Sequence, residues 1–286
     1  VGGSSRFPGA PIMAARAAAR AGAGYVTLAV PNTIVPLVQS HLLEIPVVGL
    51  PCDVEGVLTA EAAEKVVALA EHNSATLIGP GMRVAGGPVA CVNALLRSEA
   101  PLVVDADGLN CLARLTENNI TEFPELTRRE APLVLTPHRR ELGRLVGRAD
   151  NPPVSLEEQL ECARDVVWTD GGSGIVVVAK ASATACVGVD QAVMPKPGPA
   201  ALATAGSGDV LAGMMASYLA QAHGEASDLP LLCALVCEVH GYAGTLAAEA
   251  YGTRGVMAGD LIDRIGLAAD VIEEHAFVPE GAGAQA

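Results

Sequence analysis

The sequence predicts an α/β fold: a mainly parallel central sheet with helices on both faces and an antiparallel hairpin late in the chain. Three observations carry this expectation. Short apolar runs that end in Gly, Pro or Asp recur through the first half, as strands covered on both faces do. Helical patterns alternate with them. Near Gly174 the texture changes to closely spaced apolar runs that read as an antiparallel meander. Half of the 286 residues are hydrophobic, which excludes disorder, and the net charge of −14 argues against nucleic acid or an anionic membrane face as partner. Binding of that kind relies on clustered Lys and Arg.

In chain order, strands are expected at Tyr25–Val30, Ala75–Ile78, Leu102–Val104 and Leu133–Leu135. Helices are expected at Ala10–Ala21, Ala60–His72, Val89–Arg97 and Glu141–Val146. A further helix starts at Ser155, where Ser155 and Glu158 have capping-box spacing. The meander covers Gly174–Ala179, Ala183–Val189 and Gln191–Met194, and helices follow at Asp209–Ala222, Leu229–Ala250 and Asp260–Glu274. The Gly/Ala-rich tail 277–286 is expected to be flexible.

No run of roughly 20 uninterrupted apolar residues is present; the stretch Ile12–Val30 is broken by Arg16 and Arg20. The seven cysteines are scattered, without a C-x-x-C pair. Cys233 and Cys237 stand one helical turn apart, a spacing that would suit a shared metal, but no second ligand pair lies near them. The cysteines therefore read as small buried hydrophobes in a reducing, cytoplasmic setting.

The most informative stretch is Ala203-Thr204-Ala205-Gly206-Ser207-Gly208-Asp209-Val210-Leu211-Ala212-Gly213. Gly206 and Gly208 allow a tight turn, so that the backbone amides of Gly206, Ser207 and Gly208 converge into an anion nest. The helix beginning near Asp209 aims its positive end at the same point. Asp209 then stands at the mouth of a phosphate-sized nest, where a carboxylate takes a proton from a substrate hydroxyl. The plainer alternative makes Asp209 a helix N-cap.

Three strand ends add to this. Asp105, Asp107 and Asn110 follow Leu102–Val104; Thr136, His138 and Glu141 follow Leu133–Leu135; and Gly79-Pro80-Gly81 follows Ala75–Ile78. Ligands of open α/β sheets collect beyond such carboxyl ends. Taken singly, Asp107 also reads as an N-cap and His138 as a turn residue.

These segments occur in one order with Gly2-Gly3-Ser4, Gly9-Ala10, Ala21-Gly22-Ala23-Gly24, His240-Gly241 and Gly259-Asp260-Leu261-Ile262. The ordered set resembles the ADP- or ATP-dependent NAD(P)H-hydrate dehydratases, a branch of the ribokinase-like superfamily, from Val1 to about Glu274. The resemblance implies a three-layer sandwich forming one domain over residues 1–276. It implies a repair reaction, in which hydrated NADH or NADPH (NADHX, NADPHX) is phosphorylated on its ring hydroxyl by ADP or ATP and then loses phosphate. Carried over by position, Ala10, Gly81, His138 and Asp209 match the substrate positions, with Asp209 as catalytic base. Lys180, Ala181, Ser182, Ala183, Thr184 and Gly208 match the adenine-nucleotide positions.

The resemblance further implies Mg²⁺ with ligands it does not identify, a homo-oligomer (a tetramer), and an NAD(P)H-hydrate epimerase domain in many full-length relatives. The chain departs from the family pattern at Lys180-Ala181, where Lys-Gly is usual. It departs also at Pro197-Gly198-Pro199, where an Asn is lost, at Arg139-Arg140, and in lacking the strand expected before Gly2. The rival readings are a small-molecule kinase of the same superfamily, such as one acting on hydroxyethylthiazole, and a nucleotide-binding protein without turnover.

Overall fold

The computed structural model describes residues 1–117, 119–120, 129–167, 174–222 and 228–276. The expected flexible tail, 277–286, lies outside them. Among the described residues, the strands are β1 (Leu28–Pro31), β2 (Val47–Leu50), β3 (Thr76–Ile78), β4 (Leu102–Val104), β5 (Leu133–Leu135), β6 (Ile175–Ala179), β7 (Ala185–Val187) and β8 (Ala192–Val193). The helices are α1 (Gly9–Arg20), α2 (Val35–Gln39), α3 (Ala62–Glu71), α4 (Gly86–Leu96), α5 (Asp107–Leu115), α6 (Arg139–Leu145), α7 (Leu156–Val167), α8 (Ser207–Gln221), α9 (Leu229–Tyr251), α10 (Ala258–Ile262) and α11 (Ile265–Ala276).

Strands β3 to β8 form one sheet in sequence order. β3, β4, β5 and β6 run parallel, and β6–β7 and β7–β8 pair antiparallel, which is the expected meander. Side chains of successive strand residues point to opposite faces, and the two cores follow that alternation. Leu102, Val104, Leu133, Leu135, Ile175 and Val177 pack under α3, α4, α5 and α7. Val103, Val134, Val176, Val178 and Cys186 pack with α1, α8, α9, α10 and α11 on the other face. The helices thus cover both faces.

A separate parallel pair, β1–β2, carries its own small core of Leu28, Val30, Ile34, Val38, Leu42 and Ile45. Residues 1–3 connect it to the larger sheet. Gly2 N–H donates to the Ala29 carbonyl (3.1 Å), Gly79 N–H donates to the Val1 carbonyl (3.1 Å), and the Val1 amine donates to the Leu77 carbonyl (2.6 Å). The chain from Val1 to Gly3 therefore occupies the gap between β1 and β3.

Some expectations need correction. β2 was not expected, because Pro46, Gly49 and Pro51 mask a strand signal. The expected helix Asp260–Glu274 is two helices. The first starts earlier because the Asp260 carboxylate accepts the Met257 N–H (2.8 Å). It stops at a tight turn in which Arg264 N–H reaches the Leu261 carbonyl (3.0 Å), and this lets Ile262 and Ile265 both enter the core. α9 has the length and composition to cross a membrane, although Glu238 and His240 interrupt it; half of its apolar window is buried within the fold. The capping box at Ser155 is present: Glu158 N–H donates to Ser155 Oγ (3.1 Å), and Ser155 N–H to Glu158 Oε2 (3.0 Å).

Candidate active site

The glycine turn forms as expected, and the helix is capped three residues earlier than the N-cap alternative for Asp209 requires. Gly206 is the N-cap of α8, with φ 89° in the left-handed region. Only glycine adopts this conformation without strain, and a Cβ there would also meet Met13 Cε at 2.6 Å. Asp209 consequently lies in the first turn of α8 and is not its cap. First-turn amides have no intrahelical acceptor. That of Ser207 is used by the Thr204 carbonyl (3.3 Å), so the nest is centred on the amides of Gly208 and Asp209. The apolar face of α8, Val210, Leu211, Met214, Met215, Tyr218 and Leu219, is buried and anchors this turn.

Three neighbouring parallel strands deliver the next groups. Asp105 follows β4, Thr136 follows β5 and Lys180 follows β6. The ladder continues past the strands, because His138 bridges to Lys180 and Lys180 N–H donates to the Pro137 carbonyl (2.8 Å). This register sets the side chains in a row. Thr136 Oγ1 donates to Asp105 Oδ1 (2.6 Å), and Lys180 Nζ donates to the same oxygen (2.7 Å). Asp105 is 2% exposed. The Lys180 ammonium also overlies the nest: a Cβ built on Gly208 would sit 3.6 Å from Nζ.

The electrostatics follow from this packing. Burial, together with the Asp105 charge, pushes the Asp209 carboxyl up to about 6, against the pull of Lys180. Burial alone would lower the Lys180 pKa, but Asp105, Glu141 and Asp209 outweigh it and leave the ammonium above its ordinary value. Glu141, at the start of α6, is buried and pushed up to about 7, chiefly by desolvation. Glu141 Oε2 accepts the His138 N–H (2.9 Å), while His138 Nδ1 accepts from Arg140 N–H (3.1 Å) and Glu141 N–H (3.3 Å). His138 remains half-exposed at the edge of the site, its pKa lowered by partial burial, Lys180 and Arg144.

Ala10 and Gly81 meet in a second cluster. A Cβ on Gly81 would lie 3.3 Å from Ala10 Cβ and 2.6 Å from the Phe7 carbonyl, and Ser4 Oγ donates to the Gly81 carbonyl (2.8 Å). The turn Asp105-Ala106-Asp107 ties the clusters together. Ala106 has φ 50° and ψ −121°, a strained backbone for a residue with a Cβ. It is also the N-cap of α5, a place the sequence had offered to Asp107. Asp105 faces Lys180, whereas Asp107 Oδ2 accepts the Arg83 N–H (2.8 Å) beyond Gly81.

Sequence reasoning named Asp105 and Thr136 as strand-end residues but not their joint hold on Lys180. It noted His240-Gly241 without a role; His240 Nε2 lies 3.3 Å from Ser207 Oγ, against the first residue of α8. Residues 180–184 form the β6–β7 turn, with Ser182 exposed and Thr184 Oγ1 donating to the Ala181 carbonyl (3.5 Å). The seven cysteines are free thiols, and Cys233 is fully buried. A carboxylate of raised pKa beside an anion nest and an ammonium can deprotonate a hydroxyl while that oxygen attacks a phosphoryl group.

A family model described as NAD(P)H-hydrate dehydratase matches residues 1–266. The chain is 36% identical over 271 residues to the bifunctional NAD(P)H-hydrate repair enzyme Nnr of Salinibacter ruber, covering 93% of this chain and 46% of that protein. It is 36% identical over 287 residues to the enzyme of the same name from Moorella thermoacetica, covering 99% and 51%. The chain thus spans about half the length of these relatives. In fold it is similar to the ADP/ATP-dependent NAD(P)H-hydrate dehydratase of Bacillus subtilis co-crystallised with ATP and Mg²⁺, with a TM-score of 0.75 at 24% identity, covering 95% of this chain and 88% of that one. A second likeness is to the hypothetical protein SMU.573 of Streptococcus mutans, with a TM-score of 0.71 at 26% identity over 96% and 88%. With a family match over nearly all of its described length, the chain belongs to the NAD(P)H-hydrate dehydratase family.

Proposed function

We propose that the chain restores hydrated NADH and NADPH to the working cofactors, using ADP or ATP as phosphoryl donor. The observation that carries this reading is Asp209, standing in the first turn of α8 beside the nest and near Lys180. In the proposed sequence Asp209 takes the proton of the ring hydroxyl as its oxygen attacks the terminal phosphoryl group of the nucleotide. The Gly208 and Asp209 amides and the Lys180 ammonium receive the charge that gathers on the phosphoryl oxygens. Phosphate then leaves from the ring carbon with its bonding electrons, and the neighbouring carbon gives up a proton, so the ring double bond is restored. Hydroxide is a poor leaving group and phosphate a good one, which explains why a dehydration consumes a nucleotide.

The pKa of about 6 suits Asp209 to this task, since a general base works best near the operating pH. Ala10, Gly81 and His138 are proposed to line the hydrated dinucleotide, and Lys180, Ala181, Ser182, Ala183 and Thr184 the adenine nucleotide. Among the described residues no group of three His, Cys, Asp or Glu is placed to hold a metal ion. Mg²⁺ is proposed to arrive on the nucleotide phosphates, as it commonly does, and the similar Bacillus subtilis protein was co-crystallised with ATP and Mg²⁺. The relatives are named as bifunctional, and we propose that a second repair activity works alongside this one.

The test incubates the protein with hydrated NADH, Mg²⁺ and either ADP or ATP. Recovery of NADH absorbance together with free phosphate is expected. A phosphorylated product without phosphate release would contradict the reading in favour of a kinase.

A further inference from the structure

We propose that Asp105 is a positioning residue for phosphoryl transfer: it holds the Lys180 ammonium over the Gly208 end of the nest and keeps it from pairing with Asp209. The role of Asp209 as base rests on the function proposed above, whereas the geometry of the pair stands by itself.

Lys180 faces three carboxylates: Asp105 from the end of β4, Glu141 from the first turn of α6, and Asp209 from the first turn of α8. The ion pair it forms, at 2.7 Å, is with Asp105. Asp105 in turn is held in place. It is 2% exposed, its Oδ1 accepts the Thr136 hydroxyl at 2.6 Å, and its backbone N–H donates to the Ile78 carbonyl at 3.1 Å. Its carbonyl accepts the Gly108 N–H at 2.9 Å, so the turn is held on both sides of Asp105. Lys180 is likewise restrained, because its own N–H is fixed to the Pro137 carbonyl and its side chain is 20% exposed.

The placement has two consequences for chemistry. The ammonium already stands where transferred phosphoryl oxygens would gather, so little reorganisation is needed when charge develops. The base is also spared. A cation within about 4–6 Å of a carboxylate can lower its pKa by 1–3 units, and Lys180 resting on Asp209 would weaken its basicity. Asp209 is faced by Asp105 and Asp107 from the β4–α5 turn and by Lys180 from β6. His138, the N-cap of α6, and His240 on α9 both lie within the influence of Lys180, each with a lowered pKa, so neither contributes positive charge near neutral pH. Removing the Asp105 charge would then act on Asp209 twice in one direction, ending a repulsion and freeing an ammonium.

The test follows the Asp209 carboxyl directly in protein carrying ¹³C-labelled Asp carboxyls, with its signal assigned by its loss in Asp209→Asn. In Asp105→Asn the Asp209 midpoint should fall by about one unit or more, and the acid limb of kcat/KM should move down with it. Thr136→Val removes the hydroxyl that pins the shared Oδ1, and it should give a smaller shift in the same direction. An Asp209 midpoint unchanged or raised in Asp105→Asn would overturn the proposal, and if that variant does not fold, an unchanged midpoint in Thr136→Val would do so. The two readings fail separately. Wild-type protein that titrates as expected but releases no phosphate from hydrated NADH sinks the proposed function alone, while normal turnover with an unmoved midpoint sinks the positioning role alone.

Discussion

His240 reaches from the middle of α9 to within 3.3 Å of the Ser207 hydroxyl, joining the longest helix to the first residue of the nest helix α8. Its imidazole is 6% exposed and its pKa is lowered to about 4, first by burial and then by Lys180, against a contact with the Ser207 backbone. A histidine kept neutral when folded but free to protonate when unfolded near 6.5 withdraws stability as pH falls from about 6.5 towards 4. His240→Gln keeps a hydrogen-bonding group and removes that titration. Urea unfolding at pH 7 and pH 5 should show the wild type losing about 2 kcal/mol more than the variant. Equal losses would mean His240 is not the buried neutral group described.

Glu141 works in the opposite sense. Its folded pKa, about 7 against an ordinary 4.5, is raised mainly by burial. Its contribution is full below pH 4.5 and is lost as pH rises through about 7. Glu141→Gln still accepts the His138 N–H but carries no buried charge. The wild type should therefore lose stability relative to this variant between pH 5 and pH 8, by about 3 kcal/mol at most. Thermal melts of both proteins across that range check it, and parallel curves would count against the buried-carboxyl account. In the wild type alone these two titrations partly cancel, so each needs its own variant.

The turn that carries Asp105 and Asp107 packs backbone to backbone on Gly79. A Cβ at Gly79 would lie 1.8 Å from the Asp105 carbonyl oxygen and 2.6 Å from the Gly108 nitrogen, and its φ of 130° is unfavourable for any other residue. Gly79→Ala should cost about 3 kcal/mol or more. Turnover should fall further than the unfolded fraction explains, because the displaced turn moves both Asp105 and Asp107. A chemical denaturation curve and activity measured on the folded fraction test the two parts.

How legible this was depends on the element. β4 and β5 have the expected bounds, because Pro101 and Pro132 mark their starts and Asp105 and Thr136 end their apolar runs. β2 stayed hidden between Pro46 and Pro51, since among the described residues its one sheet partner is β1 and three of its four residues are only part-buried. The glycine nest could be read locally because its signal is contiguous in sequence. The Asp105–Lys180 pair could not, since the two residues are 75 apart and meet only through the order β4-β5-β6. Each strand-end polar residue was visible alone; the parallel register that aligns them is a tertiary fact. His240 shows the same limit, because a histidine on an apolar helix carries no mark of what it faces.

Asp209 is proposed to be the base. The decisive measurement is phosphate release from hydrated NADH with ADP in folded Asp209→Asn, beside the ADP affinity of the same variant. The amide preserves size and polarity in the first turn of α8 but cannot accept the hydroxyl proton. If Asp209 is the base, the rate falls by about 10²–10⁴ while ADP affinity stays within a few-fold of wild type. Turnover within a few-fold of wild type would contradict it and leave Asp209 as a helix-terminus residue with no part in the chemistry.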